Sequence, residues 1–320
     1  MKHKALKYVP PVLGIAVLAG IILGLHHALR HIGPRDVLAA LAATPRREVA
    51  HAFLLLAASI GIMTIYDIPG ILFARRSVSF PRLGFVRIAL ASFSAYALSH
   101  VLGAAALSAA AIRVRLYAQW DVPPSAIARI VAISGSMFTL GVLGLLGFLL
   151  LLHPHNVPLF GHGLPELLLR AVGAAFAGAV IFYVTAAQRW PEITLFGRTI
   201  ALPGSRVALA QFSLACADIA TACGILYVVL PDTPGLSYPD VLAIYLASFL
   251  GGMASGLPGG VGVFDSLLLL GLAGYMPPAT ALGAILLFRV LYFLAPACVA
   301  ALCYGGHEIW INAIARRPET

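Results

Sequence analysis

Charge is what this sequence has least of. Of 320 residues only 12 are Asp or Glu and 21 are Lys or Arg, so charged side chains make up 10% of the chain, against roughly 25% in soluble domains. So little charge excludes an ordinary water-facing surface over most of the molecule. Cysteine is also scarce. Cys216, Cys223, Cys298 and Cys303 all lie inside apolar runs and lack metal-ligand spacing, which predicts small packing residues and no disulfide framework. No paired nucleophile and base and no phosphate-binding Walker pattern is present. The sequence therefore points to no cofactor, no nucleotide and no clear catalytic constellation, and leans away from an enzyme.

What fills the chain instead is hydrocarbon. Hydrophobic residues reach 61% and mean hydropathy is +0.95. A helix needs about 20 apolar residues to cross a bilayer core of roughly 30 Å. The runs Val9–Leu25, Ala52–Ala74, Ile127–Leu152, Leu167–Ala187, Val207–Leu230 and Ala279–Ala301 satisfy that length. The first follows a basic start, yet Leu25-His26-His27-Ala28-Leu29-Arg30 offers no small-x-small cleavage pattern, so a retained helix is expected rather than a signal peptide.

Two other apolar runs are interrupted. Ile88–Ile112 is rich in Ser, Ala and Gly, and Val241–Tyr275 is broken by Gly251-Gly252 and by Pro258-Gly259-Gly260-Val261-Gly262. Clustered glycine and proline disfavour a continuous helix, so each run is expected to form two short helices around a bend. The predicted fold class is an all-α polytopic membrane protein, a single integral membrane domain over residues 1–320. It would hold about six full transmembrane helices and two inverted re-entrant broken-helix units.

Loop charges predict the orientation. Arg75, Arg76, Arg82 and Arg87 form one group, Arg189, Arg198 and Arg206 a second, and Arg113, Arg115 and Arg129 flank the loop around Trp120. The positive-inside rule places all three groups in the cytoplasm of a bacterial inner membrane, with both termini there and the loops His153–Pro165 and Pro231–Asp240 outside. The run Ile88–Ile112 then begins and ends on one side, and the same parity makes Val241–Tyr275 re-entrant from the other. The arginine-bearing loop His26–Ala50 runs against the rule. The formal charge of +9 is explained by this distribution and by anionic lipid, not by nucleic acid.

A loose repeat fits the scheme. Tyr96-Ala97-Leu98-Ser99 leads to Pro123-Pro124 and a long apolar helix, and Tyr245-Leu246-Ala247-Ser248 leads to Pro277-Pro278 and another. The units would cover about 88–152 and 241–304. Three intervening spans would invert one relative to the other, as in many transporters.

Ionisable groups inside the apolar runs are few: Asp67, His100, Asp218, Asp265 and Arg289. A charge at the bilayer centre costs at least about 2.5 kcal/mol, so each must face a partner or water. Asp218 and Arg289 fall at similar depth in their spans and are expected to pair. Asp67, beside the kink-forming Pro69, is read either as a headgroup or proton contact or as a near-interface residue reaching water. His100 is read as a titratable group or as a hydrogen-bonded packing residue. The bend Pro258, Gly259, Gly260 and Gly262 offers close backbone approach, and a helix beginning near Gly262 would aim its amides at an anion such as a lipid phosphate. Asp265, in the first turn of that helix, suits either a substrate contact or the helix dipole. His153, His155 and His162 are too loosely set among Pro and Gly to predict a metal site.

In these segments the chain resembles the membrane domain of the lysylphosphatidylglycerol synthase and flippase family. The likeness rests on Leu98-Ser99-His100, on Ala106-Leu107-Ser108-Ala109-Ala110-Ala111-Ile112-Arg113-Val114-Arg115-Leu116-Tyr117, on Leu257–Asp265 and on Phe288-Arg289-Val290-Leu291-Tyr292-Phe293. The family often has glycine where this chain has Ala109 and Ala110, and glutamate at the place of Asp265. The resemblance implies lipid translocation, with Asp67, Arg113, Asp218 and Arg289 as functional polar residues, and Arg115 lies in the same motif. The lipid implied is an anionic phospholipid or, by analogy with hopanoid-associated stand-alone members, an isoprenoid. Two-domain members carry a soluble aminoacyltransferase domain, and none is expected after Gly305. Two other readings stay open: a lipid headgroup transferase, and a non-catalytic partner of a lipid-biosynthesis enzyme.

Overall fold

In the computed structural model the described residues are 45–102, 105–154, 164–195, 197–257, 260 and 262–315, together with 35 and 42. The expected first span Val9–Leu25, most of the loop His26–Ala50, the histidines His155 and His162, and the Arg316-Arg317 tail lie outside them. So do Pro258 and Gly259.

The described chain is helical apart from one hairpin. In order it forms α1 (Arg46–Ile65), α2 (Ile68–Ala74), α3 (Phe85–Leu102), α4 (Ala105–Gln119), α5 (Pro124–Leu152) and α6 (Glu166–Arg189). Strands β1 (Glu192–Leu195) and β2 (Arg198–Ala201) follow, then α7 (Ser205–Val229), α8 (Tyr238–Ala254), α9 (Val263–Leu272) and α10 (Pro278–Phe288). A π-helical segment, Arg289–Leu294, joins α10 to α11 (Ala295–Ala315). The fold class expected from composition is the one found. The hairpin was not anticipated. It pairs Ile193 with Ile200 and Thr194 with Thr199 in antiparallel register, a β-branched pattern on either side of a glycine turn.

Six helical stretches are long and apolar enough to cross a bilayer: Arg46–Ala74, Phe85–Leu102, Pro124–Leu152, Glu166–Arg189, Ser205–Val229 and Pro278–Ile311. Five coincide with runs read from the sequence. The sixth, α3, is the first half of the pair expected to re-enter, and by length and composition it meets the requirement for a crossing. Among the described residues α8 and α9 are the shorter apolar helices. The two broken runs do divide as expected, α3 packing on α4 and α8 on α9.

Proline sets several boundaries. Pro124 and Pro278 stand in the first turns of α5 and α10, where the missing N–H is one the helix could not use. Pro69 stands in the first turn of α2 and separates it from α1. The backbone freed at that break is answered by Ser92 from α3. Its hydroxyl donates to the Met63 carbonyl at 2.6 Å and accepts from the Asp67 amide at 3.2 Å.

Packing between α5, α6 and α7 is close because small residues line it. A Cβ on Gly141 would lie 3.0 Å from the Ala215 carbonyl, and one on Gly173 would lie 3.0 Å from that of Gly147. One polar clamp ties the three helices. The fully buried Gln211 of α7 donates to the Ile133 carbonyl (2.9 Å) and to Ser136 (2.7 Å) of α5, and accepts from Tyr183 of α6 (2.7 Å). Elsewhere the core is aliphatic and aromatic, while Leu54, Leu167, Phe182, Leu209 and Ile309 point outward, as an apolar solvent requires. All four cysteines are free. Cys223 is buried, as expected of a packing residue, but Cys298 and Cys303 are exposed on that outer surface.

Candidate functional site

Three acidic side chains inside the helical body each meet a different environment. Asp67, in the break between α1 and α2, is fully buried. Arg113 of α4 donates from Nε to both its oxygens (2.9 and 3.0 Å) and from Nη2 to Oδ1 (2.9 Å). Tyr117, one turn along on the same face of α4, donates to Oδ2 at 2.9 Å, and Ser134 of α5 donates to Oδ1 at 2.7 Å. The charge is thus neutralised and both oxygens are occupied, which a buried ion pair requires. The reading of Asp67 as a residue reaching cytoplasmic water is overturned. Arg113, one of the arginines that flank the loop around Trp120, is 4% exposed within α4, so its charge is answered by Asp67 rather than by water or lipid headgroups.

Asp265 opens α9 from its first turn. Oδ2 accepts the Gly262 amide at 3.0 Å, the helix-start role anticipated for it. Oδ1 accepts Nε of Arg289, the first residue of the π-helical segment. The Arg289 guanidinium also lies over the rings of Phe264 (5.4 Å) and Phe293 (5.2 Å), a favourable place for a delocalised cation. Unlike the Asp67 centre this pair is partly open, with 16% and 17% of the two side chains exposed. Beside it the chain turns through Gly260 and Gly262 at φ of +59° and +83°. Gly260 is buried, and a Cβ there would lie 3.0 Å from the Gly252 Cα. A Cβ on Gly262 would meet nothing within 4 Å.

Asp218, near the middle of α7, does not meet Arg289. The expected pair is corrected on both sides: Arg289 belongs to Asp265, and Asp218, 2% exposed, accepts the Tyr96 hydroxyl on Oδ2. Similar depth along two helices places residues at one level without turning them toward each other. The Tyr96 hydroxyl is also 3.3 Å from that of Tyr292, and the Tyr66 ring meets the Tyr96 ring edge-on at 5.3 Å. Asp218 Oδ1 is buried and has no hydrogen-bond partner. His100, half-buried one turn beyond Tyr96, has Nδ1 at 2.8 Å from the Tyr96 carbonyl, with its ring 4.6 Å from the Tyr96 ring and 5.7 Å from that of Phe293. Its packing reading agrees with these contacts.

Arg115 points away from all three centres. It pairs with Glu308 of α11 through Nε (3.0 Å) and Nη2 (2.8 Å), and Gln119 adds a bond of 2.8 Å to the same carboxylate. Sequence reasoning did not select Tyr96, Tyr117, Ser134, Tyr292 or Glu308. Tyr117 was accessible through its spacing from Arg113, but no local signal carries the others. A cleft of about 640 Å³ lies where α6 ends and α7 begins, lined by Arg76, Arg189, Arg206, Trp190 and Ser205 among others.

These features define a polytopic α-helical membrane protein that holds charged and polar groups between its spans. The chain belongs to the family described as the lysylphosphatidylglycerol synthase TM region, whose model matches residues 12–300. It is 32% identical over 320 residues to the uncharacterized protein slr0712 of Synechocystis sp., covering 99% of this chain and 97% of that one. It is 28% identical to the inner membrane protein YbhN of Escherichia coli over 222 residues, 68% of each chain. It is 23% identical over 305 residues to a phosphatidylglycerol lysyltransferase of Staphylococcus aureus, covering 94% of this chain but only 34% of that protein.

Proposed function

We propose that this protein is a flippase-like lipid translocase of a bacterial inner membrane, acting on the polar headgroup of a phospholipid or an isoprenoid lipid. The observation that carries the reading is the Asp265–Arg289 pair, a partly exposed charge pair beside a break between two apolar helices. A charged pair at such a place is expensive unless it contacts water or a polar ligand. A lipid headgroup supplies both signs of charge and hydrogen-bonding oxygens, while its acyl chains stay in the surrounding lipid. The lysyltransferase relatives, proteins named for a reaction on phosphatidylglycerol, support a lipid as the molecule handled.

In this reading α3–α4 and α8–α9 are inverted counterparts, each followed by a helix with proline in its first turn, and headgroups pass between them. Basic residues near α2, the hairpin and the start of α7 mark the cytoplasmic rim, and both termini lie on that side. Cysteines placed at Ser77 and Asp121 are then labelled from the same side of the membrane. Leu102→Cys separates re-entry from a full crossing: labelling from the external side by an impermeant reagent would turn α3 and α4 into a transmembrane hairpin.

The deciding experiment reconstitutes purified protein in liposomes and follows fluorescent phospholipid and isoprenoid lipids between leaflets. Faster movement of at least one class, lost in Arg289→Ala protein of unchanged melting temperature, is the expected result. Equal, protein-independent rates for all lipids tested would remove the translocase reading.

A further inference from the structure

The Asp218 carboxyl differs from those of Asp67 and Asp265 in having no arginine partner. It is 2% exposed, and Tyr96 satisfies one oxygen while the other has nothing. The groups around it come from every side. Tyr66 at the end of α1, Tyr96 of α3, Tyr245 of α8, Tyr292 of the π-helical segment and Cys216 of its own helix are the titratable neighbours. Helices α2, α5, α6 and α10 also pack on α7. Asp67, just before α2, is taken by Arg113, Tyr183 of α6 by Gln211, and Arg129 of α5 lies over Phe73. Among the described residues no cationic side chain bears on Asp218.

A carboxylate ion placed this way would keep one oxygen unanswered and its charge uncancelled, the most unfavourable state for a buried acid. Adding a proton to Oδ1 removes the charge, and Oδ2 keeps its bond from Tyr96. The site also has a built connection to the open ion pair. Tyr292, 3.3 Å from the Tyr96 hydroxyl, and Arg289, bonded to Asp265, lie three residues apart on the same π-helical segment. Single π turns inside α-helices often mark places where a helix is adjusted for function.

We propose that Asp218 is a proton-binding site, and that exchange of its proton with water couples headgroup movement at Asp265–Arg289 to the transmembrane proton gradient. The chemistry is one O–H bond made or broken at Oδ1, with water as source and sink. The coupling rests on the translocase reading, whereas proton binding does not. The test begins with infrared spectroscopy of the protein in bilayers. The carbonyl stretch of a protonated carboxyl should be present in the parent protein, absent in Asp218→Asn, shifted in Tyr96→Phe, which removes the donor to Oδ2, and unchanged in Asp67→Asn. A band that survives Asp218→Asn intact would overturn the proposal. So would a band that disappears when sodium replaces choline at constant pH, because the ligand would then be a metal cation. In liposomes an imposed pH gradient should accelerate lipid movement by the parent protein and leave Asp218→Asn insensitive. An equal response of the two would overturn the coupling while leaving translocation in place.

Discussion

The two Asp–Arg pairs use the same chemistry to opposite ends. Asp67 and Arg113 are sealed, with 0% and 5% of their side chains exposed, and Tyr117 and Ser134 occupy the remaining valences of the carboxylate. Asp265 and Arg289 keep about a sixth of their surface open and sit beside a turn of glycines rather than inside a closed bundle. A pair that is fully answered by protein holds helices together and has no capacity left for a ligand. One that is partly open keeps access for water or a ligand and is better suited to exchange partners.

The sharpest way to break this contrast is to remove one member of the sealed pair. Arg113→Ala should destabilise the folded protein by about 3–5 kcal/mol, because it strands a buried carboxylate. Thermal melting in detergent should show this as a large fall in Tm or as failure to recover folded protein. Changing Asp67 to Asn along with Arg113→Ala should recover part of the loss, and additive losses would mean that the two side chains do not act as a pair.

The open pair should respond in the other direction. Asp265→Asn or Arg289→Ala should lower the rate of lipid movement about tenfold or more, equivalent to about 1.4 kcal/mol or more in the barrier, with a shift in Tm much smaller than that of Arg113→Ala. A variant that melts early and transports normally when folded would make this pair structural as well.

Smaller effects probe the turn between them. Gly262→Ala meets no neighbour but must hold a φ of +83° with a ψ of −48°, and should cost about 1–3 kcal/mol of stability. Gly260→Val is a poorer probe of a ligand site, because its side chain would strike the Gly252 backbone and disturb the packing of α8. The smallest expected change is in Arg115→Ala. Arg115, with 55% of its side chain exposed, pairs with Glu308 at the surface, and its loss should leave melting at moderate salt nearly unchanged, since surface ion pairs are screened and weakly held.

Spans and breaks were legible in the sequence because hydropathy and proline act through local physics. Five of the six apolar helices, the interruption at Pro69 and the start of α9 at Gly262 all follow from composition within a window of one helix. Partners were not legible. Asp67, His100, Asp218, Asp265 and Arg289 were each selected as costly in lipid, yet Asp218 was assigned to Arg289 on depth alone. Pairing depends on which way a helix face turns, and α7 turns Asp218 toward Tyr96 of α3, 122 residues earlier. Nothing local encodes that contact. The π-helical segment was equally hidden, whereas the hairpin after α6 did carry a readable alternation around Gly197.

The Gln211 clamp has a mechanical consequence. Its fully buried amide binds α5 and α6 to α7 through three hydrogen bonds, and a slide of one helical turn, about 5.4 Å, along any of these helices would part at least one of them. The trio therefore behaves as a stator. Asp218 sits two turns from Gln211 on the same helix and belongs to that fixed frame, whereas Tyr96 and Tyr292 face it from α3 and the π-helical segment, which the clamp does not hold.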